Sequence, residues 1–461
     1  MKRFVARKAS IALGSSILLA GALAGCGSSS NNQSQQSQQS NATSNSQSSA
    51  SGLNWKKYSG TTINVLLAKN PQSNYLVDHL SDFKALTGIN VKVEQYPESV
   101  YHSKLSVIAA GRSSQYDGWT IEPVVDLFTE TNAGWIQPID SYLQNDLSSD
   151  FNYNDLFEST RKGSELNGHT WGLPYNDDVQ LFYYRKDIFQ KLNLTPPKTF
   201  DEWLKDAQTL QTEMPKNGYQ GVYPVAVRAS AAEGNAMLAV FYASEGGQWF
   251  KDNKFDLTSK PSIDAVNFFK QLMQYAPPGE ANFGWEQVVP LFKQGKLAMF
   301  TDDSAFNSQI TASDSKVNGK IGYAVLPGGA AGPKPWMLNW DLVINKFSKN
   351  PGAMWYFMQW ASSPQTQTGF QRSGGTSARE SAWQDPQAQK YAADHGQKDF
   401  YQAFFDSSKV AYPQWVPPMA QALAFRQVYG TALDNVLNGM DPTAAMSTAN
   451  QQGDALLNQS K

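Results

Sequence analysis

The sequence predicts an α/β protein in which mainly parallel sheets are flanked by helices, and three observations carry that prediction. Strand and helix patterns alternate along the first foldable stretch. Apolar residues make up 41% of the chain, enough for real cores. About 400 residues follow the low-complexity N-terminal part, which suits two domains or at most three.

The chain opens on a positive head, Lys2, Arg3, Arg7 and Lys8, followed by an apolar stretch from Ile11 to Leu23. That stretch is shorter than the roughly 20 residues a spanning helix needs, so it reads as an export signal. Leu23-Ala24-Gly25-Cys26 closes it, and Cys26 is the only cysteine of the chain. These residues resemble the bacterial lipobox. The resemblance implies cleavage of residues 1–25, a diacylglyceryl thioether on the Cys26 sulfur and an acyl group such as palmitate on the freed amine. Two or three acyl chains hold a protein firmly on a membrane. With no second cysteine the exported chain folds without disulfides.

From Ser28 to Gly52 nearly every residue is Ser, Asn or Gln. Such a stretch buries too little apolar surface to offset its chain entropy, so 26–52 is expected to be a flexible leash. A random coil of that length spans about 25 to 30 Å.

Thr62-Ile63-Asn64-Val65-Leu66-Leu67 then reads as a buried strand, with Leu76, Leu80 and Phe83 at helical spacing behind it. Thr87-Gly88 stops that helix, because glycine takes the left-handed cap conformation freely. Val91 to Glu94 alternates as a second strand, Ser99 is placed to cap the next helix, and Gly111 to end it. Two β-α units in succession imply a largely parallel sheet. Further on, Thr199-Phe200-Asp201-Glu202 matches a capping box ahead of Trp203 and Leu204. Asn350-Pro351 starts another helix through Trp355, Phe357, Met358 and Trp360, and helices continue through Leu433 and Leu437.

Several function classes fall away on composition. Basic and acidic residues number 38 and 40, for a formal charge of -2, and no run of either sign follows the signal. Nucleic acid is therefore an improbable partner. The histidines His79, His102, His169 and His395 are scattered without metal-ligand spacing, and no metal or other cofactor is expected. The chain has neither a Gly-x-Ser-x-Gly elbow nor a phosphate-binding Gly-x-x-x-x-Gly-Lys-Ser/Thr loop.

A set of short motifs then appears in order. Phe83-Lys84-Ala85-Leu86-Thr87-Gly88-Ile89, Ala109-Ala110-Gly111 with Tyr116-Asp117, and Gly134-Trp135-Ile136-Gln137-Pro138-Ile139-Asp140 come first. Gly172-Leu173-Pro174-Tyr175, Tyr183-Tyr184-Arg185-Lys186-Asp187 and Pro196-Pro197-Lys198-Thr199 follow. Phe292 to Met299, Gly322 to Gly329 and Ser362-Ser363-Pro364 complete the series. Together they resemble the family 1 extracellular solute-binding proteins along nearly the whole mature chain.

What that resemblance implies is a two-lobed fold like that of maltose-binding protein, each lobe a mainly parallel sheet flanked by helices. Three hinge crossovers would join the lobes, near Val179 to Tyr184, Trp336 to Leu342 and Gly374 to Glu380. Lobe one would hold 60–178 plus 341–375, and lobe two 179–340 plus 376–461. The function implied is capture of a solute in an interlobe cleft by a monomer anchored on the outer face of the cell membrane. The cargo would pass to the permease subunits of an ATP-binding-cassette importer, with ATP used by a separate chain.

Aromatic usage points to the class of solute. Aromatic residues form 12% of the chain, including 13 Trp. Sugar rings offer C–H faces to aromatic planes, and their hydroxyls need fixed hydrogen-bond partners. Trp119 with Glu122 follows a predicted strand, near the carboxyl end where open α/β sheets bind ligands. Trp171, Tyr175, Asn176, Asp177 and Asp178 lie by the first expected crossover, Trp336, Asn339, Trp340 and Asp341 by the second, and Thr376 and Arg379 by the third. Asp302 and Asp303 end another strand, and Trp249 follows Gly246-Gly247. The expected ligand contacts are Trp119, Glu122, Tyr175, Asn176, Asp177, Trp249, Asp302, Asp303, Trp336, Asn339, Trp340 and Arg379. Trp135, Trp203, Trp355 and Trp360 are assigned to the core.

A membrane-tethered hydrolase of oligosaccharides is the alternative, because paired carboxylates facing a cleft can act as acid and base. Neighbours on a strand point to opposite faces, so Asp177-Asp178 and Asp302-Asp303 each offer one side chain to a cleft. Few cations lie near the expected loops, which argues against a strongly anionic cargo.

Overall fold

The computed structural model describes residues 53–459. The signal 1–25, Cys26 and the leash to residue 52 lie outside the described residues.

Two sheets organise the described chain. The first is built from β1 (Thr62–Lys69), β2 (Asn90–Pro97), β3 (Gly118–Ile121), β4 (Ile136–Gln137) and β5 (Gly172–Pro174). The chain then builds a second sheet from β6 (Asp178–Arg185), β7 (Tyr223–Ala226), β8 (Leu297–Asp303), β9 (Ile321–Ala324) and β10 (Met337–Leu338). It returns to the first sheet with β11 (Asp341–Asn345). The spatial order is β2-β1-β3-β11-β4 with β5 beside β11, and β9-β6-β8-β7 with β10 beside β6.

Both sheets are mixed. β1 runs parallel to β2 and β3, and β7 parallel to β8. The antiparallel members are the strands that arrive from the other lobe. β6 pairs antiparallel with β8, β9 and β10, and β11 with β3, β4 and β5. β1 has its Val65 to Ala68 run fully buried, as an apolar strand covered on both faces requires.

Local signals act mostly where expected. The helix Leu80–Thr87 ends on Gly88 at φ 72°. The helix Glu98–Ala110 has Pro97 at its cap, and the side chain of Ser99 lies outside what the structure describes. Thr199 accepts the Glu202 amide at 3.2 Å and starts the helix Phe200–Glu213. Asn350 precedes the helix Pro351–Ala361, but its amide donates to Asp117 at 3.3 Å in place of capping.

Crossings between the sheets lie at 175–177, between β5 and β6, and at 339–340, between β10 and β11. The first therefore comes just before Val179 to Tyr184, which is itself the centre of the second sheet. A third passage runs from Ala378, in the first-sheet core, to Trp383, in a second-sheet core. Backbone bonds lace the crossings together: Tyr175 N–H donates to the Trp340 carbonyl at 3.1 Å and Asp177 N–H to that of Thr376 at 3.2 Å.

The second sheet carries a core on each face. Along β6, Phe182 packs into one, and Val179, Leu181 and Tyr183 into the other. Among the described residues no helix is long and apolar enough to cross a membrane.

Candidate functional site

A cavity of about 710 Å³ opens where the carboxyl ends of β1, β3 and β8 meet the crossings. Its second-lobe wall is polar because β8 runs out of apolar sequence at Asp302 and Asp303. Arg228, just past β7, places Nε 3.1 Å from both Asp302 carboxylate oxygens and Nη2 3.1 Å from Asp303 Oδ2. Trp336 donates its indole N–H to the other Asp303 oxygen, and Glu233 lies 3.5 Å from Arg228 Nη1. Burial pushes Asp302 up to about 6, against the pull of Arg228. Burial works against the Arg228 charge, but Asp302 and Asp303 hold its pKa above the ordinary arginine value.

Asp178 faces the same space at the start of β6. It accepts bonds from the Ser304 hydroxyl and, at 3.2 Å, from the Ala305 amide. Burial first, and the neighbouring Asp303 second, push Asp178 well above the usual carboxylate range. The wall thus joins a carboxyl inclined to keep its proton to Asp303, an acceptor fixed by Arg228 and Trp336. Such a pair meets a hydroxyl as donor and as acceptor.

The first lobe contributes Trp340, Asn176 and Glu122. Trp340 stacks on His102 at 5.6 Å and meets the Tyr101 edge at 5.8 Å, which fixes its indole plane. Its amide donates to Asn176 Oδ1 at 2.7 Å. Glu122 lies 3.6 Å from His102 Nε2. Opposite stand Arg426 and Trp415: the guanidinium lies 5.1 Å over the indole, and its Nε donates to Asn235 Oδ1 at 2.9 Å. Trp285 and Phe306 form a further stacked platform at 5.2 Å.

Four of the expected contacts line the cavity: Glu122, Asn176, Asp303 and Trp340. Backbone alternation explains much of the rest, because successive side chains on extended chain point opposite ways. Asn176 and Asp178 face the cavity, so Tyr175 and Asp177 turn away. Tyr175 is buried with its hydroxyl 3.0 Å from Ser73 Oγ, and Asp177 is fully buried. Likewise Leu338 and Trp340 face it, and Asn339 turns inward to donate to Asp341. Asp303 faces it, and Asp302 lies behind Arg228.

The remaining expected contacts do not line the cavity. Trp119 lies within β3, ahead of its carboxyl end, and is 1% exposed, with its indole N–H 2.9 Å from Glu130. Trp249 packs among Tyr242, Phe425 and Tyr429 and donates to the Gln414 carbonyl at 2.7 Å. Trp336 sits beneath Arg228, 5.4 Å from its guanidinium. Arg379 is fully buried and pins the third passage: Nε donates to the Ser362 carbonyl at 2.6 Å and Nη1 to Asp155 at 3.1 Å. Thr376 does line the cavity. Trp171 instead donates to the Leu166 carbonyl at 3.0 Å and packs against the first core.

Sequence reasoning missed Arg228, Trp285, Phe306, Trp415 and Arg426. For Arg228 a signal existed, because it directly follows the apolar run Val225-Ala226-Val227. Nothing local marks the others. Among the described residues no group of His, Cys, Asp and Glu could hold a metal ion.

Known proteins resemble this chain along much of its length. Over 419 residues, covering 86% of each chain, the protein is 26% identical to the erythritol/L-threitol-binding protein of Mycolicibacterium smegmatis. It is 28% identical over 273 residues to the mannitol-binding protein of Pseudomonas aeruginosa, covering 58% of this chain and 60% of that one. A solute-binding protein of an ABC transporter from Agrobacterium vitis, solved with bound D-mannitol, is 25% identical with a TM-score of 0.65, covering 87% of this chain and 99% of that one. The sugar-binding protein MalE of Xanthomonas citri, at 20% identity and a TM-score of 0.73 over 87% of this chain and 98% of its own, shares the two-lobed fold. These relatives are binding proteins, and none supports the hydrolase alternative. The family model for bacterial extracellular solute-binding proteins matches residues 68–368, more than half of the chain, and the protein belongs to that family.

Proposed function

We propose that this protein captures a neutral polyhydroxylated solute, a polyol or a sugar, in the cavity between its lobes and delivers it to an ABC importer. One observation carries the reading: a single cavity is lined by the indoles of Trp340 and Trp415 together with the carboxyl, amide and guanidinium groups of Asp178, Asp303, Asn176 and Arg426. Aromatic planes bind the C–H faces of such a solute, and the polar groups replace the water its hydroxyls lose. The names of the polyol-binding relatives support the same class of cargo.

Delivery follows from linkage. A cargo that touches both lobes favours the closed arrangement by its differential affinity, and a membrane partner that favours the open one releases it. The proposed tether is a lipidated Cys26, which holds the monomer on the outer face of the membrane at the end of its leash.

A thermal-shift screen of erythritol, ribitol, mannitol, glucose and maltose tests the reading, since a ligand of the folded state alone raises the melting point. At least one should raise it and be recovered intact. No shift with any polyol or sugar refutes the proposal. For the tether, alkynyl-palmitate labelling in the producing cell should mark the wild type and not Cys26→Ser.

A further inference from the structure

Resting on that reading, we propose that Asp178 meets the cargo as a neutral carboxylic acid whose Oδ2 hydroxyl donates to a cargo oxygen, so that capture is linked to one retained proton. The geometry of the second-lobe wall carries this inference.

Asp178 and Asp303 share one face of the second sheet. Asp303 pairs with Gln180 across the antiparallel ladder of β6 and β8, and Asp178 lies two positions from Gln180 along β6. Residues two apart on a strand point the same way, so the two carboxyls are diagonal neighbours, and both line the cavity. Their hydrogen bonds differ. Asp303 accepts the Trp336 indole N–H on Oδ1 and Arg228 Nη2 at 3.1 Å on Oδ2, so each of its oxygens is engaged. Asp178 accepts both of its protein donors, the Ser304 hydroxyl and the Ala305 amide, on Oδ1. No described residue bonds Oδ2, and Asp178 is half-buried where it lines the cavity, so Oδ2 is the oxygen left to the cargo.

The charges around Asp178 give it no counter-ion. Asp177 precedes it with its own carboxyl turned away and fully buried, and Tyr183 spends its hydroxyl on the Asp303 carbonyl at 2.9 Å. Arg228, beyond β7, is shared among Asp302, Asp303 and Glu233. The first lobe brings another acid, Glu122, to the cavity. Arg426, on the helix Ala422–Leu437, has its Nε tied to Asn235. A second negative charge beside Asp303 would therefore stand without a cation of its own, whereas a retained proton removes the repulsion and supplies a donor. Burial and the Asp303 charge, which push Asp178 above the usual carboxylate range, act in the same direction.

Cargo and proton then favour each other's binding. Affinity keeps its full value while Asp178 holds its proton in the cargo-free protein. Above the pH at which that proton is lost, affinity falls by up to about tenfold per pH unit.

Isothermal titration of the purified full-length chain in detergent between pH 5 and pH 9 tests the inference, using the tightest binder among erythritol, ribitol, mannitol, glucose and maltose. Wild-type affinity should fall by at least about tenfold from the acid end to the alkaline end. Asp178→Ala should weaken binding by about tenfold or more at pH 5. Asp178→Asn, which puts an amide donor where the O–H stood, should recover most of that loss and vary by less than about threefold over the range. Ligand-free melting points serve as the folding control, and because Asp177, Asp302 and Asp341 are present in every sample, the difference between the profiles belongs to Asp178. A wild-type profile as flat as that of Asp178→Asn overturns the inference, and so does an Asp178→Asn variant that binds no better than Asp178→Ala at pH 5. Either result leaves the proposed function standing. Failure of every sugar and polyol to bind refutes the proposed function and this inference with it.

Discussion

Arg228 meets Asp302 edge-on, with Nε 3.1 Å from each carboxylate oxygen, although Asp302 has no exposed surface at all. An aspartate so buried is tolerated because the guanidinium and its hydrogen bonds replace water. Arg228→Met should leave Asp302 and Asp303 adjacent without a cation and destabilise the fold by about 3 to 5 kcal/mol. Urea unfolding of the variant checks this, and a shift within error of the wild type contradicts it.

Trp340 and Trp119 make opposite predictions. Trp340→Ala should weaken the best ligand by more than about tenfold, because on the proposed function it removes an aromatic wall of the binding cavity. Trp119→Phe deletes the indole donor to buried Glu130 together with part of a packed core ring, and should cost about 1 to 3 kcal/mol of stability with ligand affinity unchanged. Titration and thermal melts of both variants separate the two roles.

Removing the Arg379 side chain strikes the third passage and not the cavity. The guanidinium lies 4.4 Å over Phe151 and bonds the Ser362 and Asn152 carbonyls as well as Asp155. Arg379→Ala should lower stability by about 3 to 5 kcal/mol. Thermal melts and titration on the same samples should show stability falling further than ligand affinity.

Stability should fall as pH rises from acid to neutral. Asp177 and Asp341 sit at the first and second crossings, both fully buried, and burial pushes each up to about 7. Among the described residues no donor meets hydrogen-bond geometry at either Asp177 oxygen or at one Asp341 oxygen, so nearby polar groups offset the burial only in part. Their protonated forms favour the fold, so this stabilisation is complete below about pH 4, the ordinary aspartate value, and is lost as pH climbs through 7. Urea midpoints should therefore drop between pH 5 and pH 8. Asp177→Asn should flatten that drop, and an unchanged slope in the variant speaks against this account.

Much of the architecture was legible in advance. Apolar runs such as Val65 to Ala68 demand burial wherever they fold, and Gly88 and Thr199 stop and start helices through local backbone chemistry. The site was legible only by region. Asn176, Asp178, Leu338, Trp340 and Asp303 lie in segments picked out for their polar and aromatic content. Yet Tyr175, Asp177, Asn339 and Asp302, one position away, face elsewhere. Alternation says that neighbours diverge, and it does not say which parity meets the cavity.

By itself, then, the sequence determined the α/β class, the strand and helix segments and the stretches in which polar and aromatic side chains gather. These follow from periodicities and caps that act over a few residues. Tertiary structure alone decided that Arg228, Trp285, Trp415 and Arg426 line one cavity with Trp340, and that Trp119 and Trp249 go to the core. Those residues lie far apart along the chain, and their meeting depends on how two sheets joined by three crossings pack, which no short window of sequence encodes.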